Sequence, residues 1–203
     1  MINEIDYDQP APPTNDSAEF IEIYNAGTAP AVLANYALVM VNGGIAAPAE
    51  YFAFGSTTAR IQFSAARDAA GVLQTTLAPG GYLVIAPASF TVPASALRIL
   101  GGTIDNIQNG ATDAVGILNT TTTQLVDALS YEGDVSNGAL SGIAGTRDFR
   151  EGGSGLSVAA CGGEAANATS AGGLRRRVNG VDTNVTANDW TFSATTSPGI
   201  ANP

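Results

Sequence analysis

The chain has 203 residues, with 8 basic and 18 acidic side chains giving a formal charge of −10. All the basic residues are arginines, histidine and lysine are absent, and Cys161 is the single cysteine. That inventory excludes Ser-His-Asp and Cys-His nucleophiles, histidine-ligated zinc, Schiff-base chemistry, a phosphate-binding Walker lysine and an internal disulfide. The charge balance repels a nucleic-acid backbone. Hydrolysis by a pair of carboxylates is the chemistry that survives. With 45% apolar and 13% charged residues, 24 glycines and 10 prolines, the composition is that of a turn-rich globular chain. Its length suits one domain spanning 1–203.

In chain order, Ile2 to Tyr7 reads as a first strand carrying Glu4 and Asp6. No basic segment with an apolar core stands before it, so the sequence as it stands carries no signal peptide, and an exported form is expected to be already mature. A Pro-rich loop (Pro10, Pro12, Pro13, then Thr14, Asn15, Asp16) leads into Ala18 to Ala26. There Phe20, Glu22 and Tyr24 alternate with Glu19, Ile21, Ile23 and Asn25, the period of a central strand. Val32 to Val41 reads as a buried sandwich strand closed by Asn42-Gly43-Gly44. Tyr51 to Phe54 and Arg60 to Phe63 are short strand candidates, and Arg67 to Gly71 is a turn. Pro79-Gly80 supplies the two corners of a tight turn before the apolar strand Tyr82 to Ala86.

Leu97 to Leu100 is another short strand, followed by a polar loop from Ile104 to Gly110. Asp113 to Leu118 and Gln124 to Tyr131 form a hairpin around Thr120 to Thr123. Asp127 lies between Leu125 and Leu129 and needs a partner if that face is core. From Glu132 to Gly173 the composition turns to Gly, Ala and Ser, a long excursion with Leu156 to Val158 as a weak strand. An excursion of that length usually carries function or moves. Leu174 to Val178 and Asp189 to Phe192 are the last strand candidates, and Ser197-Pro198-Gly199 closes the ordered part. No run reaches the roughly 18 apolar residues of a membrane helix.

Several segments, taken in order, carry a resemblance. They are Ile2-Asn3-Glu4-Ile5 with Glu19 to Asn25, Leu77 to Ile85, Gln108-Asn109-Gly110 with Asp113-Ala114-Val115, and Val126 to Gly133. They continue through Gly180 to Asn184, Asn188-Asp189-Trp190 and Ser197-Pro198-Gly199. Together they resemble the bacterial lamin-tail domains over nearly the whole chain. The resemblance implies an all-β, immunoglobulin-like β-sandwich with long loop insertions, at about 45–74 and 133–173 here. It also implies a secreted or cell-surface bacterial protein, often placed beside nucleases, phosphatases or adhesive modules. Arg175 matches the family's Ser-Leu-Ser-Arg segment only loosely, and no role carries over to it.

The sharpest chemical feature is the set Glu4, Asp6, Asp8, Asp16, Glu19 and Glu22, all within the first 22 residues. Two readings stand. In one, Glu4 and Glu22 cap strands or pair with arginine while the aspartates are solvated turn residues. In the other, Asp6, Asp8, Asp16 and Glu19 give calcium the hard oxygen ligands it takes, without EF-hand spacing. Asp105, Asn106, Asn109 and Asp113 form a weaker second group, read as a loop tied by amide hydrogen bonds. Glu22 with Glu4 or Asp6 is the pair left for catalysis.

Arg175 to Arg177 read as partners of acidic groups or as an anion site, and Cys161 as a half-buried small residue or an intermolecular thiol. Trp190, Tyr36, Tyr51, Tyr82 and Tyr131 read as packing or as a sugar-stacking platform. Asn15, Asn119, Asn167 and Asn184 open glycosylation triplets. Two functions are therefore expected. The first is a non-enzymatic surface structural or adhesive unit, a self-assembling fibre subunit whose partner is itself, with Met1 to Tyr7 or Trp190 to Pro203 adding a strand to a neighbour. The second is a calcium-stabilised module binding carbohydrate or protein beside a catalytic partner. Neither involves nucleic acid or membrane insertion.

Overall fold

A computed structural model describes residues 1–10, 16–110, 112–165 and 170–203. The strands are β1 (Ile2–Asp6), β2 (Phe20–Tyr24), β3 (Ala31–Val32), β4 (Tyr36–Asn42), β5 (Ala49–Tyr51), β6 (Ile61–Gln62), β7 (Thr76–Leu77) and β8 (Tyr82–Ala86). They continue as β9 (Leu97–Leu100), β10 (Asp113–Asn119), β11 (Leu125–Tyr131), β12 (Gly138–Ala139), β13 (Thr146–Arg147), β14 (Gly173–Arg176) and β15 (Trp190–Ser193). The described residues also include two single-turn helices, α1 (Val158–Cys161) and α2 (Thr186–Asp189), besides short 3-10 turns. One sheet has the order β15-β14-β1-β2-β8-β9, and the other has β11-β10-β4-β5-β12-β13 with β6 also on β4. The fold is an all-β, immunoglobulin-like sandwich, and among the described residues no helix is long and apolar enough to cross a membrane.

The alternation read in the second strand sets the layers. Ile21 and Ile23 enter the central core with Ile5, Leu83, Leu38 and Val115. Phe20 faces out and packs with Val84, Val92 and Ala96. β1 lies antiparallel to β2 with Glu4 opposite Glu22, as the opening segment predicts, and on its other side pairs with β14. It is therefore an inner strand. The C-terminal segment is also held at home, because the Ser197 amide reaches Glu4 and the Gly199 amide reaches Glu22. Of the two segments expected to complete a neighbour's sheet, Met1 to Tyr7 thus has its strand paired on both sides within its own molecule, whereas β15, which opens Trp190 to Pro203, is an edge strand paired only with β14.

Other local differences have simple causes. Val32 to Val41 is not one strand, because Leu33–Asn35 forms a 3-10 turn before β4 begins at Tyr36. Leu156 to Val158 is not a strand either. Leu156 bonds the Ser130 carbonyl and the Gly133 amide through its backbone, and the run stops there because Ser157 caps α1 by accepting the Ala160 amide. Cys161, inside α1, is fully buried rather than half-buried. The expected loop around Pro12 and Pro13 lies outside the described residues.

The Gly/Ala/Ser excursion folds back as a cover. Val135, Leu140 and Phe149 bury Val39, Val41, Ala114, Leu118 and Ala128 on the outer face of the second sheet. Glycine is required beneath Phe149, since a Cβ at Gly116 would sit 3.0 Å, and at Gly138 2.8 Å, from its ring. Glu50 and Arg60 pair at 2.6 Å, and the Ser141 amide donates to the same carboxylate at 2.7 Å, joining the two long excursions.

One buried cation fastens the two sheets. Arg176 of β14 is fully buried and donates to Asp127 of β11 at 3.0 Å, to the Ile2 carbonyl at 2.8 Å and to Asp189 at 3.4 Å. Asp182 lies 3.2 Å away, and the Trp190 ring lies 5.1 Å from the guanidinium carbon. This is the partner that Asp127 requires. Arg176→Ala leaves buried carboxylates uncompensated, so it should destabilise the fold by about 3–5 kcal/mol, read as a lower midpoint in urea unfolding.

Candidate acidic site

The site lies where β1 ends and β2 begins, against the loop between β9 and β10. Glu19 is fully buried just before β2 and accepts the Asn106 amide at 2.6 Å, the Asn106 side-chain amide at 3.4 Å and the Ile107 amide at 3.1 Å. Asp16, with φ +39°, accepts the Gln9 amide at 3.0 Å, and its own carbonyl receives the Asp105 amide at 3.4 Å. Asp8 accepts the Asn109 side-chain amide at 3.0 Å. The two acidic groups read separately in the sequence therefore meet, because the loop from Asp105 to Asn109 folds onto the N-terminal acids.

Carboxylate oxygens of Asp16, Glu19 and Asp105 lie within 4.8 Å of one another, with Asp105 exposed and the others buried. Asp6 and Asp8 stand outside that trio. The trio offers only hard oxygen, one exposed carboxylate for entry, and acceptor capacity left on Glu19, since each carboxylate oxygen takes two contacts. It fits a calcium-type cation in ligand chemistry. A second trio, Asp127, Glu151 and Asp182, surrounds Arg176, which already supplies a cation there.

Glu4 and Glu22 face each other on the outer side of the sheet, both fully buried. Glu4 accepts the Ser197 amide at 3.0 Å and its hydroxyl at 3.1 Å. Glu22 accepts the Asn3 side-chain amide and the Gly199 amide, each at 2.6 Å. Of the two pairings left for catalysis, Glu22 with Glu4 is thus bonded to the C-terminal segment, while these bonds do not involve Asp6. Trp190 and Tyr131 are buried, so they form no platform, while Tyr82 stacks on Tyr24 at 4.8 Å. Of the glycosylation triplets, Asn184 is exposed and Asn119 bonds its own turn, whereas Asn15 and Asn167 lie outside the described residues.

Glu164 is the residue that sequence reasoning missed. It follows α1 in the Gly/Ala/Ser excursion, is fully buried, and accepts the Tyr7 and Asp8 amides. The signal available was its isolation, since it is the only acid between Glu151 and Asp182.

Burial dominates the electrostatics. It pushes Glu19 up to about 8 against the pull of the Asn106 and Ile107 amides, and Glu22 to about 8 against the pull of Asn3 and Gly199. Glu4 rises to about 7 and Asp6 to about 8, again chiefly through burial. Asp113, whose carboxylate accepts the Gly43 amide at 3.2 Å, is pushed by burial to about 7.

These folded-state values lie above those of the unfolded chain, so the folded protein holds more protons between the two. The resulting stability is fully present below about pH 4, the unfolded carboxylate range, and is lost as pH rises through 7 to 8, where these groups titrate in the fold. In chelator, the melting temperature should therefore be higher at pH 5 than at pH 8.5, and the difference should shrink in Glu22→Gln.

The Lamin Tail Domain family model matches residues 1–133. Comparison with curated proteins and with solved structures returns no match.

Proposed function

The chain belongs to the lamin tail domain family, and we propose that it works as a non-enzymatic structural or adhesive module of the bacterial cell surface, assembling with copies of itself. The supporting observation is the use made of its carboxylates. Glu4 and Glu22, read in the sequence as a possible catalytic pair, and Glu19, read as a calcium ligand, hold the backbone amides of Ser197, Gly199, Asn106 and Ile107. Acids committed in this way fasten loops and tail to the sheet and make a closed building block.

With β1 internal, self-association falls to the edge strands, β15 among them, or to the end surfaces. The end of β2 away from the acids opens on a cavity of about 150 Å³, lined largely by apolar residues that include Leu33, Phe63 and Ile117. Val126, 55% exposed, lines it as well. An exposed apolar side chain beside an apolar opening is the kind of surface a second copy covers. Light scattering and negative-stain imaging of the purified chain should show oligomers or fibres. Strictly monomeric particles at high concentration, with and without calcium, would count against assembly.

A second reading is favoured by the Asp16, Glu19 and Asp105 trio, whose oxygens lie within 4.8 Å. It makes the chain a calcium-stabilised module that binds protein or carbohydrate beside a catalytic partner. A cation that binds only the folded chain raises its stability, so calcium should raise the melting temperature. Part of that rise should vanish in Asp105→Asn, whereas unchanged melts in calcium and chelator remove the reading.

A further inference from the structure

The carboxylates of Asp6 and Glu164 differ from the other buried acids. Asp6, at the end of β1, is 8% exposed and Glu164 is fully buried. Glu164 commits one oxygen to the Tyr7 and Asp8 amides, the two that follow Asp6, which places it against the end of the same strand. Its other oxygen, Oε2, is buried without a hydrogen-bond partner, and so is Oδ1 of Asp6. A buried carboxylate oxygen left without a donor or a cation is costly. Two of them at one strand end share a single electrostatic problem. After burial, Asp6 is the strongest influence raising Glu164, and Glu4, Asp16 and Asp8 add negative charge around Asp6. The arginine ion pairs among the described residues go to Glu50, Asp127, Asp134, Asp148, Glu151, Asp182 and Asp189, and none reaches Asp6 or Glu164.

Space for water opens beside Asp6, although the two unpartnered oxygens are themselves closed to solvent and Glu164 does not line that space. A cavity of about 600 Å³ is lined by Asp6, Gln9, Thr195 and Thr196 among others. The Gln9 oxygen there already accepts the Ala18 amide at 3.1 Å, and the threonine hydroxyls are of the hard-oxygen type that completes a calcium shell together with water.

We propose that Asp6 and Glu164 form a divalent-cation site of calcium type, with Asp6 Oδ1 and Glu164 Oε2 as its protein ligands and the cavity supplying the remaining oxygens. One ion satisfies both oxygens at once and fastens the excursion that carries α1 to the end of β1. This site is separate from the Asp16, Glu19 and Asp105 trio, and it stands whether or not the chain assembles.

The test melts the full chain at pH 7.5 over a calcium series and in chelator, as wild type, Asp6→Asn, Glu164→Gln and Asp105→Asn, with magnesium as a parallel arm. Terbium luminescence sensitised by Tyr7, whose amide bonds Glu164, reports occupancy without relying on stability. At calcium about 100 times its Kd, the wild-type melting temperature should rise by roughly 5–10 °C. Asp105→Asn should keep the terbium signal of this site, and Asp6→Asn and Glu164→Gln should each lose it along with a matching part of the rise. The proposal is overturned if either variant binds calcium and terbium as the wild type does. It is also overturned if the wild type responds to neither ion, or if both variants melt higher than wild type with an unchanged calcium response, which would identify a shared proton. Glu164→Gln keeps the acceptor for the Tyr7 and Asp8 amides, so it tests the site even if Asp6→Asn folds poorly.

Discussion

The structure depends on buried carboxylates answered by backbone amides. Glu4, Glu19, Glu22 and Glu164 are all fully buried, and each accepts at least one main-chain N–H from a segment distant in sequence. A carboxylate has room for several donors and no rotamer demand on its partner. Irregular segments that cannot pair as strands can therefore still satisfy their amides against the sheet. The loop from Asp105 to Asn109, the tail from Ser197 and the start of the chain after β1 are all seated this way. A chain without lysine has few cations to bury, and one of its arginines, Arg176, serves the junction between the sheets.

This arrangement explains what the sequence made legible. The alternation of Phe20 to Tyr24, the apolar run of β8 and the hairpin of β10 and β11 are local patterns, each with a period that fixes its face. So is the demand that Asp127 have a partner. Which arginine would answer it was not readable, because Asp127 and Arg176 are 49 positions apart and meet only when the two sheets close. The candidate site was half legible for the same reason. Asp16 and Glu19 are neighbours in sequence, whereas Asp105 reaches them through a loop whose path is set by Glu19 itself. Glu164 sits among glycines and alanines that have no periodicity to place it.

The Gly/Ala/Ser excursion shows how composition can mislead. Its glycines suggest a loose connection, yet Gly138 is there to let Phe149 approach the sheet, and Phe149 closes a second apolar cluster. Both sheets of the sandwich consequently have apolar clusters on their outer faces as well as between them. Acids gather at separate places, among them Asp16, Glu19 and Asp105 where β2 begins, Glu4 and Glu22 on the outer side of their sheet, and Asp127, Glu151 and Asp182 around Arg176.

The clasp on the tail also sets how the molecule carries tension. A pull delivered through Pro203 meets Ser197 and Gly199 before it meets β15. Their hydrogen bonds hand the load to Glu4 and Glu22, which stand on β1 and β2 in the middle of a six-stranded sheet. The edge strand is thus spared until the clasp yields, and the inner strands bear the force first.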